Sequence, residues 1–300
     1  MNSDEITIPV SQHEQLWQGA RRLVLLKSEE YVDCCTVMRM NYGPAEIHDF
    51  RVSSRRLREA LCLFHSCYDK SLIAECSDEV RMVTRKLGTI RNFDESVLFF
   101  SRLSEELDPA CRLALTPFLM SREAARVSLL TGLKHFIRHA VPERFLDRYQ
   151  KCLVRPKLIG SQPETGMFIP LRDFAEGAMA ERFNDVVQMC GAALVEGDDS
   201  ARHQLRIMLK HFRYRFELFK PLYDCRYEHI LHLIKQYQEC LGKLNDLSVF
   251  TRMLSEGVAP VSFMPVLSEA VAKEKKNILR TFLSLTGSNP LSEITSLLHQ

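Results

Sequence analysis

The chain has 300 residues, 46% of them hydrophobic and 26% charged, which excludes disorder, collagen-like repeats and coiled-coil extremes. That length gives a prior of about two domains and buries a sizeable core without disulfide staples. Forty Lys and Arg against thirty-eight Asp and Glu leave a formal charge of +2, an average that speaks against a polyanion partner, and only 12 Gly and 12 Pro favour helix over strand.

The first residues, Met1 to Pro9, carry Asp4 and Glu5 and neither a basic nor an apolar signal region. No uncharged apolar run approaches the roughly 20 residues of a membrane span. A cytoplasmic protein with no membrane partner is expected. The ten cysteines are scattered, with one vicinal pair, Cys34 and Cys35, and no Cys-x-x-Cys. They read as small buried hydrophobes in a reducing compartment, and no zinc site or other cofactor is expected.

Apolar residues recur at three- and four-residue spacing, so the chain reads as a series of helices. Breaks are expected at Asn41-Tyr42-Gly43-Pro44, between Asp69 and Ser77, at Asp108 and Pro109, and at Val141 and Pro142. In the second half they fall at Gly197 to Asp199, Pro221 to Cys225, Gly257 to Pro260 and Gly287 to Pro290. Between the halves lies a stretch rich in Pro and Gly. The reading is therefore a first helical repeat at 11–155, a linker at 156–170 and a second repeat at 171–300, each with about four long helices.

The similar rhythm of the halves is matched by repeated motifs. His48-Asp49-Phe50-Arg51-Val52, leading into Arg55-Arg56-Leu57-Arg58, aligns with His203-Gln204-Leu205-Arg206-Ile207, leading into Lys210 and Arg213-Tyr214. At nearly the same offset, Leu87-Gly88-Thr89-Ile90-Arg91-Asn92 aligns with Leu241-Gly242-Lys243-Leu244-Asn245-Asp246. Basic residues also match at Arg81 and Lys235, and more weakly at Arg126 and Lys275. Two motifs in one order imply an internal duplication.

On a helical wheel His48, Arg58, Arg51 and Arg55 share one stripe, and Phe64, Leu57, Phe50 and Leu61 form the opposite one. The second copy repeats this with His203, Arg206, Lys210 and Arg213 in front and Leu205, Phe212, Phe216 and Phe219 behind. Each helix has an apolar back and a cationic front about 15 Å long. Such a front reads either as a solvated face or as a ladder of forks and point charges for a linear polyphosphorylated ligand.

His48 and His203 open the two fronts, where metal binding, phosphoacceptor chemistry and hydrogen bonding to phosphate are the three readings. The last fits the neighbouring arginines best. His135 with His139 and His229 with His232 read as surface or satisfied histidines. Gly88 and Gly242 read as points of close helix approach or bending, and Asn92 and Asp246 as caps or partners of a basic residue. No phosphate loop, nucleophile elbow or paired catalytic carboxylates are present.

On these motifs the chain resembles the conserved histidine α-helical domain, or CHAD domain, family from roughly 11 to 300. The resemblance implies an all-α fold of two four-helix bundles related by a pseudo-two-fold axis, with the basic helices meeting at a central positive cavity or channel. It also implies binding of inorganic polyphosphate, often beside polyphosphate granules. The residues expected to bind it are His48, Arg51, Arg55, Arg56, Arg58, Arg81, Arg126, His203, Arg206, Lys210, Arg213 and Lys235. Asn92 and His211 depart from the family pattern, which usually has Asp and a basic residue there. The triphosphate tunnel domain that often accompanies the family has no room in this chain, so a stand-alone binding module without catalysis is expected. The alternatives are a metal-dependent or phosphoacceptor enzyme acting through the paired histidines and, below it, a nucleic-acid binder, for which exposed stacking aromatics are lacking.

Overall fold

The computed structural model describes residues 14–106, 109–139, 145, 148–149, 153–154, 165–195, 197–223, 226–255 and 264–298. They form nine helices: α1 Leu16–Asn41, α2 Pro44–Leu63, α3 Lys70–Glu106, α4 Pro109–His139, α5 Leu171–Ala193, α6 Asp199–Leu218, α7 Arg226–Ser255, α8 Met264–Ser288 and α9 Ser292–Leu298. Among the described residues there is no strand, and no helix is long and apolar enough to cross a membrane.

The boundaries follow local chemistry. Tyr42 ends α1 in the left-handed region at φ 55°, its N–H bonded to the Met38 carbonyl at 2.8 Å, and Gly43-Pro44 then opens α2 with proline in the first turn. The Asp198 side chain caps α6 by accepting from the Ala201 N–H at 2.8 Å, after Gly197 turns the chain at φ 80°. One boundary moves. A break was expected between Asp69 and Ser77, but α3 already runs through that segment. Asp69 accepts from the N–H groups of Ser71 at 3.0 Å and Leu72 at 3.2 Å, so it starts a helix where its polarity suggested a loop. The expected breaks at Val141-Pro142 and Gly257–Pro260, and most of the 156–170 linker, lie outside the described residues.

Consecutive helices pack as neighbours from α1 to α4 and again from α5 to α8, and α2 lies against α6. A backbone tie joins the first residues of the two halves: Leu16 N–H bonds the Ile169 carbonyl at 2.9 Å and Leu171 N–H the Glu14 carbonyl at 2.7 Å. The expected apolar backs of α2 and α6 are buried, with Phe50, Leu57, Leu61, Phe64, Leu205, Phe212, Phe216 and Phe219 each at most 1% exposed. One continuous core takes in residues of both halves. A second cluster joins α3, α4, α7 and α8 through Phe100, Phe118 and Phe250, with Phe99 stacked on Phe250 at 4.3 Å. The halves thus meet at α1 with α5, at α2 with α6 and at this aromatic cluster.

Among the described residues the cysteines are not joined in disulfides. Cys35, Cys67 and Cys76 are buried as expected, whereas Cys62 is exposed at the C-terminal end of α2.

Candidate functional site

A cleft of about 580 Å³ opens between α2, α3, α6 and α7, with Phe250 of the aromatic cluster in its wall. Seven Lys and Arg side chains line it against three carboxylates, Glu95, Glu239 and Asp246. Arg51 and Arg55 come from α2, Arg91 from α3, Arg206, Lys210 and Arg213 from α6, and Lys235 from α7. His48 and His203 stand at its edge, exposed.

The helices deliver these side chains because their backs are fixed in the core. Burying Phe50, Leu57 and Leu61 leaves α2 one orientation, and the residues opposite that stripe must then face the gap toward α6. The repeated Leu-Gly motif lies beside them. A Cβ at Gly88 would lie 3.5 Å from Arg51 Nε, and one at Gly242 would lie 3.9 Å from Arg206 Nε, so each arginine rests across a glycine of the neighbouring helix. Both glycines lie inside long helices, α3 and α7. A Cβ at either would make only ordinary contact, and Asn92 and Asp246 are not caps. Asp246 instead leans toward Arg206 at 3.9 Å.

The electrostatics are those of crowded cations. The Nε atoms of Arg51 and Arg206 are buried with no hydrogen-bond partner among the described residues. Burial, then the charges of Arg55 and Arg206, pushes the Arg51 guanidinium down to about 10. Burial pushes Arg206 down as well, partly offset by Asp246. Lys210 falls furthest, to about 6, through burial and then Arg206, Arg55 and Arg51. His48 is lowered by burial and Arg91. The buried Tyr214 phenol, 4% exposed, goes the other way from most buried tyrosines. Burial raises its pKa, but the charges and hydrogen bonds of Arg55 and Arg213 outweigh that and hold it below its ordinary value.

Four of the expected binding residues do not line the cleft. Arg56 reaches Glu217 of α6 at 2.8 Å, and Arg126 of α4 reaches Asp94 of α3 at 2.5 Å. Arg81 is exposed and pairs with Asp78 at 3.2 Å, and Arg58 lies near it beyond the cleft. Acids on the same or another helix neutralise three of these, which the wheel of a single helix does not display. Conversely Arg91, Tyr214 and Glu95 were not singled out. Arg91 stood inside the first Leu-Gly motif and Tyr214 at the end of the second basic motif, so the signal was there.

His203 Nδ1 is hydrogen-bonded to Asn245 Oδ1 at 2.7 Å, which links the two motifs of the second half. His135, His229 and His232 are exposed. No group of three or more His, Cys, Asp or Glu side chains clusters as a metal site among the described residues. The departure at His211 has a structural partner: its Nδ1 hydrogen-bonds Glu59, which Arg215 also holds at 3.0 Å.

A family model described as the CHAD domain matches residues 36–255. The chain belongs to the CHAD domain family. The fold of this CHAD protein is shared with the crystal structure of the CHAD domain from the plant Ricinus communis, at TM-score 0.65 and 22% identity over 97% of this chain and 94% of that one. It is also similar to PptA from Streptomyces chartreusis, at TM-score 0.67 and 18% identity over 92% of this chain and 100% of that one. No curated protein sequence matches the chain significantly. The CHAD family is associated with polyphosphate binding, and at that level this is a polyphosphate-related protein.

Proposed function

We propose that this CHAD protein is a stand-alone binding module that captures inorganic polyphosphate, or a linear polyanion of like charge, in the cleft, without catalysing its turnover. The observation that carries this reading is the surplus of cations: seven basic side chains against three acids, with the buried Nε atoms of Arg51 and Arg206 left without a hydrogen-bond partner among the described residues. Ionic oxygens entering the cleft would supply the missing acceptors, and charge-assisted bonds to guanidinium are the strong class. Release of counterions from the ligand adds to the drive, so affinity falls linearly in log–log terms with salt.

We infer also that the halves are copies of one unit whose basic helices face each other across the cleft. Supporting this, α2 and α6 each span 20 residues. They also end alike, Phe64 at φ −100° and ψ 17° and Phe219 at φ −99° and ψ 14°. A cytoplasmic location, with recruitment to polyphosphate granules, belongs to the same proposal.

The test is a titration of long-chain polyphosphate, tripolyphosphate and single-stranded DNA across salt, with the wild type and a variant in which Arg51, Arg55, Arg206 and Lys210 are changed to Glu. Loss of polyphosphate binding in a variant with unchanged circular dichroism is expected. Retained affinity in the folded variant refutes the cleft as the site. Turnover lost in a His48→Ala, His203→Ala variant would instead establish the enzyme reading.

A further inference from the structure

Lys210 differs from the other cations of the cleft. It stands one helical turn beyond Arg206 on α6, and the charges that act on it most strongly are guanidinium groups: Arg206 on its own helix, then Arg55 and Arg51 of α2. Of the cleft's acids Asp246 opposes those charges at Lys210, but it and the others pair elsewhere. Glu95 pairs with Arg91 at 3.0 Å, Glu239 with Lys243 at 2.9 Å, and Asp246 accepts the Asn245 amide at 3.2 Å while leaning toward Arg206. Among the described residues no carboxylate lies within ion-pair distance of Lys210 Nζ. Arginine keeps its proton in proteins, so among the cations crowded together at Arg51, Arg55 and Arg206 Lys210 can relieve the repulsion by giving its proton up, whereas the cleft's other lysine, Lys235, is exposed.

We infer that anion binding in this cleft is coupled to proton uptake at Lys210, which makes the site pH-gated. This rests on the polyanion reading given above. Burial and the neighbouring guanidinium charges hold the ammonium down to about 6 in the empty cleft, so at neutral pH the side chain there is a free amine. Phosphate oxygens arriving beside it favour the charged form. The amine takes a proton from the buffer, becomes an ammonium and donates to the ligand. Above about pH 6 each binding event then takes up close to one proton, and affinity falls about tenfold per pH unit as pH rises. Below that value the ammonium is present with and without ligand, and the slope disappears.

The other groups facing this point are accounted for by element. On α2, His48 titrates below its ordinary value through burial and Arg91. On α3 stand Arg91 and Glu95, already paired. On α6, Arg213 and Tyr214 bond one another, and His203 bonds Asn245. On α7 stand Lys235, Glu239 and Asp246.

Two measurements test the inference on the full chain. Calorimetric titration with long-chain polyphosphate in PIPES, HEPES and Tris at pH 7.5 reads the proton number directly. The wild type is expected to take up about one proton more per site than Lys210→Arg, whose charge is permanent. Equal proton numbers in wild type and Lys210→Arg overturn the inference while leaving polyphosphate binding intact. Absence of binding at every pH overturns the polyanion reading itself, and this inference with it. Independently of ligand, trace acylation of the empty protein is expected to label Lys210 with a midpoint near pH 6. A midpoint in the ordinary ammonium range refutes the inference.

Discussion

Helices α2 and α6 present arginine in two settings. Around Arg51, Arg55, Arg206 and Lys210 the cations outnumber the acids, and the Nε atoms of Arg51 and Arg206 lack hydrogen-bond partners among the described residues. Toward the C-terminal ends of the same helices acids meet several of the charges: Arg56 meets Glu217 at 2.8 Å, and Glu59, 6% exposed, is held by Arg215 at 3.0 Å and by His211. The second setting fastens the helices to each other. The first works against folding through like-charge repulsion and is tolerated because the apolar backs of both helices are fully packed. Arg56 and Arg215 therefore fasten the helices through Glu217 and Glu59, while Arg51, Arg55 and Arg206 stay in the cleft.

Removing Glu59 breaks this comparison most severely. Glu59→Ala leaves Arg215 and His211 beside a buried gap, and breaking a buried pair from one side costs about 3 kcal/mol or more. A large drop in the urea midpoint is expected. Arg206→Gln, by contrast, leaves the midpoint unchanged or raises it, because repulsion with Arg55 and Arg51 is relieved. A comparable loss in both variants would show that the two settings are not distinct.

Acid sharpens the same contrast. His211 and Arg215 outweigh burial and hold the Glu59 carboxyl below its ordinary value of 4.5, so its contribution is present above that value and lost as pH falls through the lower folded one. Urea midpoints followed from pH 7 to pH 3 are expected to decline less steeply in Glu59→Gln than in the wild type. A matching decline would assign acid sensitivity to other carboxyls.

Affinity gives a smaller difference, read one residue at a time. Arg51→Gln is expected to weaken polyphosphate binding about tenfold, in line with the loss of one strong charge-assisted contact of about 1.5 kcal/mol. Arg56→Gln and Arg126→Gln, whose guanidinium groups are occupied by Glu217 and Asp94, are expected to stay within about threefold of wild type at matched salt. Smallest of all is Gly88→Ala. Its new Cβ would meet Arg51 Nε at 3.5 Å, an ordinary contact, so helix propensity dominates and stability rises by up to about 1 kcal/mol with binding unchanged. A binding loss there, measured by the same titration, would mean that Arg51 needs the full width of the groove.

Much of this was legible along the chain. Periodicity placed Phe50, Leu57, Leu61 and Phe64 on one buried stripe, and the repeated basic motif located Arg51, Arg55, Arg206, Lys210 and Arg213, all of which line the cleft. Less was legible where partners come from elsewhere. Arg126 looked like a ligand residue until Asp94 was seen 2.5 Å away on the preceding helix, and the overall charge of +2 concealed a cleft with a local surplus. Tyr214 sat within the basic motif, but its role needs Arg55 of the other half.

By itself the sequence determined the helices, their apolar backs, the family and the residue types available for an anion, because side-chain period and propensity act over a few neighbouring residues. Only the tertiary structure decided which arginines are neutralised and which remain crowded. That choice depends on distances of about 3 to 4 Å between side chains far apart in the chain, at which a single carboxylate changes an arginine from ligand-ready to structural.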